Sequence, residues 1–280
     1  MDTPDLAKWA EGIIKDFILN SPENSQIWAE PLVGFSNGAD PLFEAYKEHV
    51  GPFHMTPLEI FSKTFPSIHA QADQLTVISW ILPQTEQTKS DNRQETLYPS
   101  ERWVRSRMSG EAVNAKLRKH VVASFEKSGY AAVAPLLSPH WERKKSDRYG
   151  LASNWSERHA AYASALGTFG LSDGLITPKG QAMRCGSVII KLQIPAMERP
   201  YQDHHAYCLF FSEGKCGVCI KRCPAGAISE TGHDKIKCRN YARSVISGYI
   251  KSHYHMDGKG CGLCQTGVPC ESGIPEIPVI

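Results

Sequence analysis

The stretch KCGVCIKRCPAGAI, residues 215–228, sets Cys216, Cys219 and Cys223 at close intervals and follows the third with Pro224. Sulfurs this near in sequence converge on one point, which is the chemistry of a metal ion, an iron–sulfur cluster or a thiol redox pair. Cys208 lies upstream, and Cys238, Cys261, Cys264 and Cys270 lie downstream. Eight of the nine cysteines therefore fall between 208 and 270, and only Cys185 stands outside. A secreted disulfide scaffold would be a short chain stapled throughout, whereas here the first 184 residues carry no cysteine. That asymmetry points to a reducing, cytoplasmic compartment.

The spacing narrows the chemistry. Cys216-x2-Cys219-x3-Cys223-Pro matches the end of the bacterial ferredoxin pattern C-x2-C-x2-C-x3-C-P, with the first interval stretched to seven residues after Cys208. In that pattern the cysteine before the proline ligates the other cluster. The interleaved reading groups Cys208, Cys216, Cys219 and Cys270 around one 4Fe–4S cluster. Cys223, Cys238, Cys261 and Cys264 go to the second. Two zinc sites would use the same thiolates, and the Cys-Pro step argues against them. A thioredoxin-like CxxC lacks its βαβ context. Cys185 is a plain thiol on this reading.

Around the cysteines, the rest of the chain supplies the positioning elements. Cysteine content divides it into residues 1–200 and a small module, 201–280. The start is read as an amphipathic helix with Leu6, Trp9, Ile13 and Phe17 on one face. Residues 74–83 are β-branched and read as a buried strand, with another at 186–195. Val113, Leu117, Val121 and Phe125 form a helix stripe over 110–130, capped at Gly129 and followed by a strand at AAVAPLL. A second helix spans 154–166, capped by Asn154 or Ser156 and ended at Gly167. The polar run at 84–99 reads as a surface loop. The class is α+β, a sheet covered by helices with the cysteine module after it.

This order of parts resembles epoxyqueuosine reductase and, more distantly, the corrinoid-dependent reductive dehalogenases. SERHAAYASALGTFGLSDG carries Glu157, Arg158, Gly167 and Gly170 of one family segment, and VNAKLRKHV carries Leu117, Arg118 and Lys119 of another. The resemblance implies a nitroreductase-like α/β sandwich followed by a bacterial-ferredoxin-like module with two 4Fe–4S clusters. It also implies a cobalamin held near Asn114, Arg158, Gly167, Thr168, Phe169, Gly170 and Leu171. Leu151 stands where the family has an acidic proton donor, and Asn114 stands in place of a histidine. Asn154 and Tyr162 are then the candidate catalytic groups. The implied function is a reductase that passes low-potential electrons to a corrinoid, which reduces a small organic substrate. A carrier or corrinoid activator without substrate chemistry is the first alternative, and epoxyqueuosine reduction on tRNA the second.

The partners implied are a low-potential donor, ferredoxin or flavodoxin, and a small-molecule substrate. Lys plus Arg number 31 against 29 acids, a net charge of +2, so bulk charge offers nucleic acid no attraction. The appended repeat domain of the tRNA-acting members is not expected, because the chain ends soon after Cys270. No apolar run approaches the roughly 20 residues of a membrane span. His204, His205 and the HYHM run at 253–256 read as surface histidines. PSERWVRSRM, residues 99–108, sets three arginines beside Trp103 and reads either as a grip on an anionic group or as a solvated helix face.

Overall fold

A computed structural model describes residues 3–276. The centre is a four-stranded antiparallel sheet in the order β1-β2-β8-β3, formed by Leu32–Asn37, Thr76–Pro83, Met183–Ile190 and Ala132–Val133. The strand at 74–83 is found, and every residue of β2 is buried. Its alternation distributes side chains to two cores. Ile78, Trp80 and Leu82 face helix α1 (Thr3–Leu19) and helix α6 (Glu101–Lys127). Val77 and Ile81 face α3 (Pro41–His49), α4 (Pro57–Thr64) and α7 (Glu157–Ala163). The architecture is a three-layer α/β/α arrangement on an antiparallel sheet. A short helix α2 (Pro22–Ser25), N-capped by Ser21, links α1 to β1.

Several local expectations shift. In α1 the core stripe is Leu6, Ala10, Ile14 and Ile18; Trp9, Ile13 and Phe17 flank it, half-buried. The long helix starts at Glu101, N-capped by Ser100, so the arginine-rich stretch forms its first turns. The strand after Gly129 shrinks to two residues, because Pro135 opens a 3-10 turn. Helix α7 takes Ser156 as its N-cap and stops at Ala163. Its chain reversal falls on Ala165, which adopts φ 64°, rather than on Gly167.

The polar run at 84–99 is not a loop. Thr85 caps a helix, α5 (Glu86–Arg93), and Thr88, Lys89 and Asn92 on it are buried. The Thr88 hydroxyl meets that of Thr85, and Lys89 and Asn92 are met by the cysteine segment, which is why a run without apolar residues can still sit inside the protein.

Two hairpins flank the sheet: β4 (Arg143–Ser146) with β5 (Gly150–Ser153), and β6 (Thr168–Phe169) with β7 (Leu175–Ile176). The cysteine segment follows as α8 (Leu209–Glu213), α9 (Val218–Lys221), a small hairpin β9–β10 (Ile228–Ser229, Gly232–His233) and α10 (Lys235–Tyr241). A π-helical turn, Ala242–Ile246, joins α10 to α11 (Ser247–Tyr254). Ile246 and Ile250 pack on Val104 of α6, which docks the segment against the sheet's helix layer. Among the described residues no helix is long and apolar enough to cross a membrane.

Candidate iron–sulfur site

The eight cysteines assemble as two tetrads. Burial, with Cys208 and Cys216 as neighbours, pushes the Cys219 thiol up to about 11. Burial again, with Cys208, Cys219 and Cys216, pushes Cys270 up to about 12. All four line one cavity with Leu171 and Ile176. In the second tetrad, burial with Cys261 and Cys223 pushes Cys238 up to about 11. Burial drives Cys264 well above the usual thiol range, against Cys261, Cys238 and Cys223. Cys219 is also among the neighbours of Cys264, so the tetrads meet there.

Thiols that raise one another's pKa have converged on space that a cation would fill, and such binding releases their protons. Among the described residues no three His, Cys, Asp or Glu side chains are placed to hold a single metal ion. Tetrahedral zinc at a Zn–S length of about 2.3 Å draws its sulfurs within roughly 4 Å of each other.

The chain holds these loops with polar contacts absent from the cysteine motif. Gln181 donates from Nε2 to Cys270 Sγ at 3.1 Å and to the Cys264 carbonyl at 3.0 Å, tying the tetrads together. The Ala227 amide donates to Cys223 Sγ at 3.3 Å. Asn92 of α5 is fully buried; its Nδ2 donates to Thr266 Oγ1 at 3.0 Å and its Oδ1 accepts from the Ser100 amide at 3.0 Å. Arg222 donates to the carbonyls of Thr266 (2.9 Å) and Glu95 (2.8 Å). Lys89 reaches Ser272 Oγ at 2.7 Å, and Arg93 pairs with buried Glu271. Gly262 has φ 64°, and a Cβ there would stand 2.0 Å from Trp103, so only glycine admits the Cys261–Cys264 turn. Gln181 and Asn92 carried no sequence signal; the helix bearing Asn92 did, in Thr85 followed by Glu86, with Arg93 in the last turn.

Beside the second tetrad lies a charged cluster of side chains from α6, α7 and β8. Arg107 of α6 lies against the Cys261 loop, where a Cβ on Gly260 would meet its Nε at 2.5 Å. Burial lowers its pKa, while Cys261 and Glu111 oppose that fall. Burial, with Arg107 as neighbour, lowers Arg184 to about 10. Burial pushes the Cys185 thiol up to about 12 against the opposing field of Arg158. Arg118 pairs with Glu157 at 3.0 Å and Glu111 at 3.1 Å, and burial raises Glu157 nonetheless. Cys185, Arg107 and Arg184 keep some accessible surface.

The residues assigned by resemblance to cofactor and catalysis scatter. Asn114 is fully buried, its Oδ1 accepting from Trp80 and its Nδ2 donating to the Cys185 carbonyl, both at 2.9 Å. Asn154 joins the β4–β5 hairpin to its flank, its Oδ1 accepting from the Glu142 amide and its Nδ2 donating to the His140 carbonyl. Tyr162 stacks on Tyr201 at 5.2 Å, and its charged neighbours are Arg199, Asp203 and Asp40 rather than the arginines of the charged cluster. A Cβ on Gly167 would stand 2.2 Å from the Ile176 carbonyl oxygen, so this glycine closes a hairpin rather than admitting a planar ligand. Thr168 and Phe169 pair with Ile176 and Leu175, and Gly170 and Leu171 line the first tetrad. Only Arg158 reaches the charged cluster. His205 stacks on Phe211 at 3.9 Å, and His253 stacks on Tyr249 at an exposed helix end.

This α+β fold with its antiparallel sheet has counterparts among solved oxidoreductases. A catabolic reductive dehalogenase is similar with a TM-score of 0.51 at 16% identity, over 87% of this chain and 30% of that one. A second reductive dehalogenase, whose structure suggested a mechanism for B12-dependent dehalogenation, gives 0.51 at 14% over 84% and 29%. An epoxyqueuosine reductase bound to an epoxyqueuosine-modified tRNA-Tyr stem loop gives 0.50 at 15% over 99% and 68%. At these identities the likeness is one of fold, and the chain spans less than a third of either dehalogenase. No protein-family model and no curated protein matches the sequence.

Proposed function

We propose that this chain is an iron–sulfur oxidoreductase that carries low-potential electrons from a ferredoxin- or flavodoxin-type donor to a small molecule beside the charged cluster. Bound at the two tetrads, 4Fe–4S clusters supply the one-electron chemistry. The observation that carries the reading is the division of eight thiols into two tetrads that meet at Cys219 and Cys264, the second ending beside Arg107. On this reading residues 1–200 are a nitroreductase-like platform and residues 201–280 a ferredoxin-like module.

Each neighbouring residue has a task. Leu171, Ile176 and Phe210 keep water from the first tetrad. The Gln181 amide stabilises negative charge on Cys270 Sγ, which favours the reduced state. Arg107 does the same for the second tetrad through its charge. Cys185 stays a neutral thiol at physiological pH.

The finer reading, a corrinoid between the tetrads and the platform, meets residues that do not form one seat. Asn114 is spent on Trp80 and Cys185, and Gly167–Leu171 are folded into a hairpin with β7. No step is therefore routed through a corrinoid.

Metal analysis of anaerobically prepared protein tests the proposal. About eight irons with matching sulfide are expected, as two cubanes require. Cys219→Ala should disturb the first cluster and Cys223→Ala the second, while Cys185→Ala keeps the full iron count. Stoichiometric zinc without acid-labile sulfide would refute it.

A further inference from the structure

The segment from Lys235 to Met256 carries Lys235, Lys237, Arg239, Arg243 and Lys251 and no acid. Ile236, Arg239 and Arg243 are spaced three and four apart along α10 and the π-helical turn, so they share one face. All three are exposed, as are Lys237, Val245 and Lys251. Cys238 of the second tetrad stands between Lys237 and Arg239 and keeps part of its own surface.

Two neighbouring elements continue this face. Lys237 Nζ donates to the Gly226 carbonyl at 2.9 Å, which ties α10 to the turn after Cys223. On the other side, a Cβ on Gly150 would stand 3.7 Å from Ile236 Cδ1, so the β4–β5 hairpin abuts α10 and adds exposed Lys145. Little of the charge is answered within the chain. Lys235 pairs with Asp173 at 3.5 Å, and Asp234 is occupied as the N-cap of α10, accepting from the Lys237 amide at 2.9 Å. Arg239, Arg243, Lys251 and Lys145 have no carboxylate within ion-pairing distance among the described residues; Asp147 and Asp257 are the exposed acids at the edges. Beside the first tetrad the charge is different: α8 exposes Phe211 and, at its end, a Glu213–Lys215 pair of no net charge.

A field of mostly positive charge around exposed aliphatic side chains suits an acidic protein, which it steers in and orients. Single-stranded nucleic acid would be met by aromatic platforms, whereas this face exposes Ile236 and Val245. We propose that the outer face of α10, with the hairpin beside it, is where the electron donor docks, and that the donor is a protein with an acidic surface around its redox centre. The proposal rests on the iron–sulfur reading and adds the place of electron entry. One electron leaves the donor and enters the oxidised cluster held by the second tetrad; no bond forms or breaks. The first tetrad then stores an electron while the donor returns with another.

Stopped-flow electron exchange between the cluster-loaded protein and a purified acidic 2Fe–2S ferredoxin, run in whichever direction is downhill, tests it. The second-order rate should fall about tenfold or more between low salt and about 0.3 M salt. The double variant Arg239→Glu, Arg243→Glu should slow exchange about tenfold at low salt and much less at high salt. Reduction by the methyl viologen radical, a small cation, should not slow in either test. If that variant loses iron, Lys145→Glu with Arg243→Glu, away from the ligand, decides. A rate indifferent to salt, or unchanged in the charge-reversed variants, would overturn the proposal. Unchanged exchange in variants that lose binding to a single-stranded RNA would assign the face to nucleic acid and overturn it too. Failure of viologen reduction in the parent would instead take down the iron–sulfur reading on which docking rests.

Discussion

Asn92→Ala probes how the platform holds the second cluster. Asn92 makes two good side-chain hydrogen bonds, to Thr266 Oγ1 and from the Ser100 amide, both at 3.0 Å and both buried. A neutral hydrogen bond contributes about 1 kcal/mol net, and an orphaned buried donor costs about 1–3 kcal/mol. Truncation removes the Thr266 bond that ties the turn carrying Cys261 and Cys264 to α5, while the lost Ser100 bond falls within the platform, so the turn loses about 1 kcal/mol against opening. That corresponds to roughly a fivefold rise in the population of the open loop. Iron release to a chelator from the anaerobic holoprotein measures it. Half of the iron, that of the second cluster, should leave about fivefold faster than in the parent, while the first cluster keeps its rate. An unchanged rate would show that Asn92 does not hold the cysteine loop. Equal acceleration of both halves would show that Asn92 acts on the whole fold.

His54 is buried with neither ring nitrogen satisfied, and burial pushes its pKa from 6.5 to about 4. Between those values the unfolded chain binds a proton that the folded chain refuses, so stability falls as pH drops, by about 2 kcal/mol from this group at pH 5. His54→Phe should reduce the difference in urea midpoint between pH 7 and pH 5, and an unchanged difference would refute the assignment. Cobalamin added to the anaerobic protein is expected to elute apart from it, because Asn114 and the Gly167 hairpin are committed elsewhere. Co-elution with a base-off spectrum would restore the corrinoid reading.

Much of this was legible because periodicity and sulfur spacing are local signals. The stripe Val113, Leu117, Val121, Phe125 lies in the core, and 74–83 is a strand because β-branched residues buried on both faces need no partner information. The nearness of Cys216, Cys219 and Cys223 is likewise a local signal. Burial of polar side chains was not legible. Lys89 and Asn92 look like a solvated run until Thr266, Ser272 and Arg222, more than a hundred residues away, supply their partners. Asn114 failed for the same reason: its amide reads as a vacancy where a histidine is expected, yet Trp80 and the Cys185 carbonyl consume it. Gly167 was read as room for a ligand, and the room is taken by Ile176.

Net charge misleads in the same way. A total of +2 argues against a polyanionic partner only if the charges are evenly spread. They are not. From Lys235 to Gly260 the chain carries Lys235, Lys237, Arg239, Arg243, Lys251 and Lys259 against the single acid Asp257. The β4–β5 hairpin adds Arg143, Lys144, Lys145 and Arg148, and it abuts this segment where Lys235 Nζ lies 4.5 Å from the Tyr149 ring. Arg239, Arg243, Lys251 and Lys145 are exposed. Much of the compensating acid lies on other elements, in Glu11 and Glu30 near the start of the chain and Glu44 and Glu59 on α3 and α4. The basic face adjoins the charged cluster through Lys235, whose partner Asp173 also anchors Arg158 by its carbonyl. An anionic molecule approaching from that side meets mostly positive charge, broken by Asp147, Asp173 and Asp234. Local charge, not the sum, therefore sets what this surface attracts, and the low net charge gives no ground for excluding a large anionic partner.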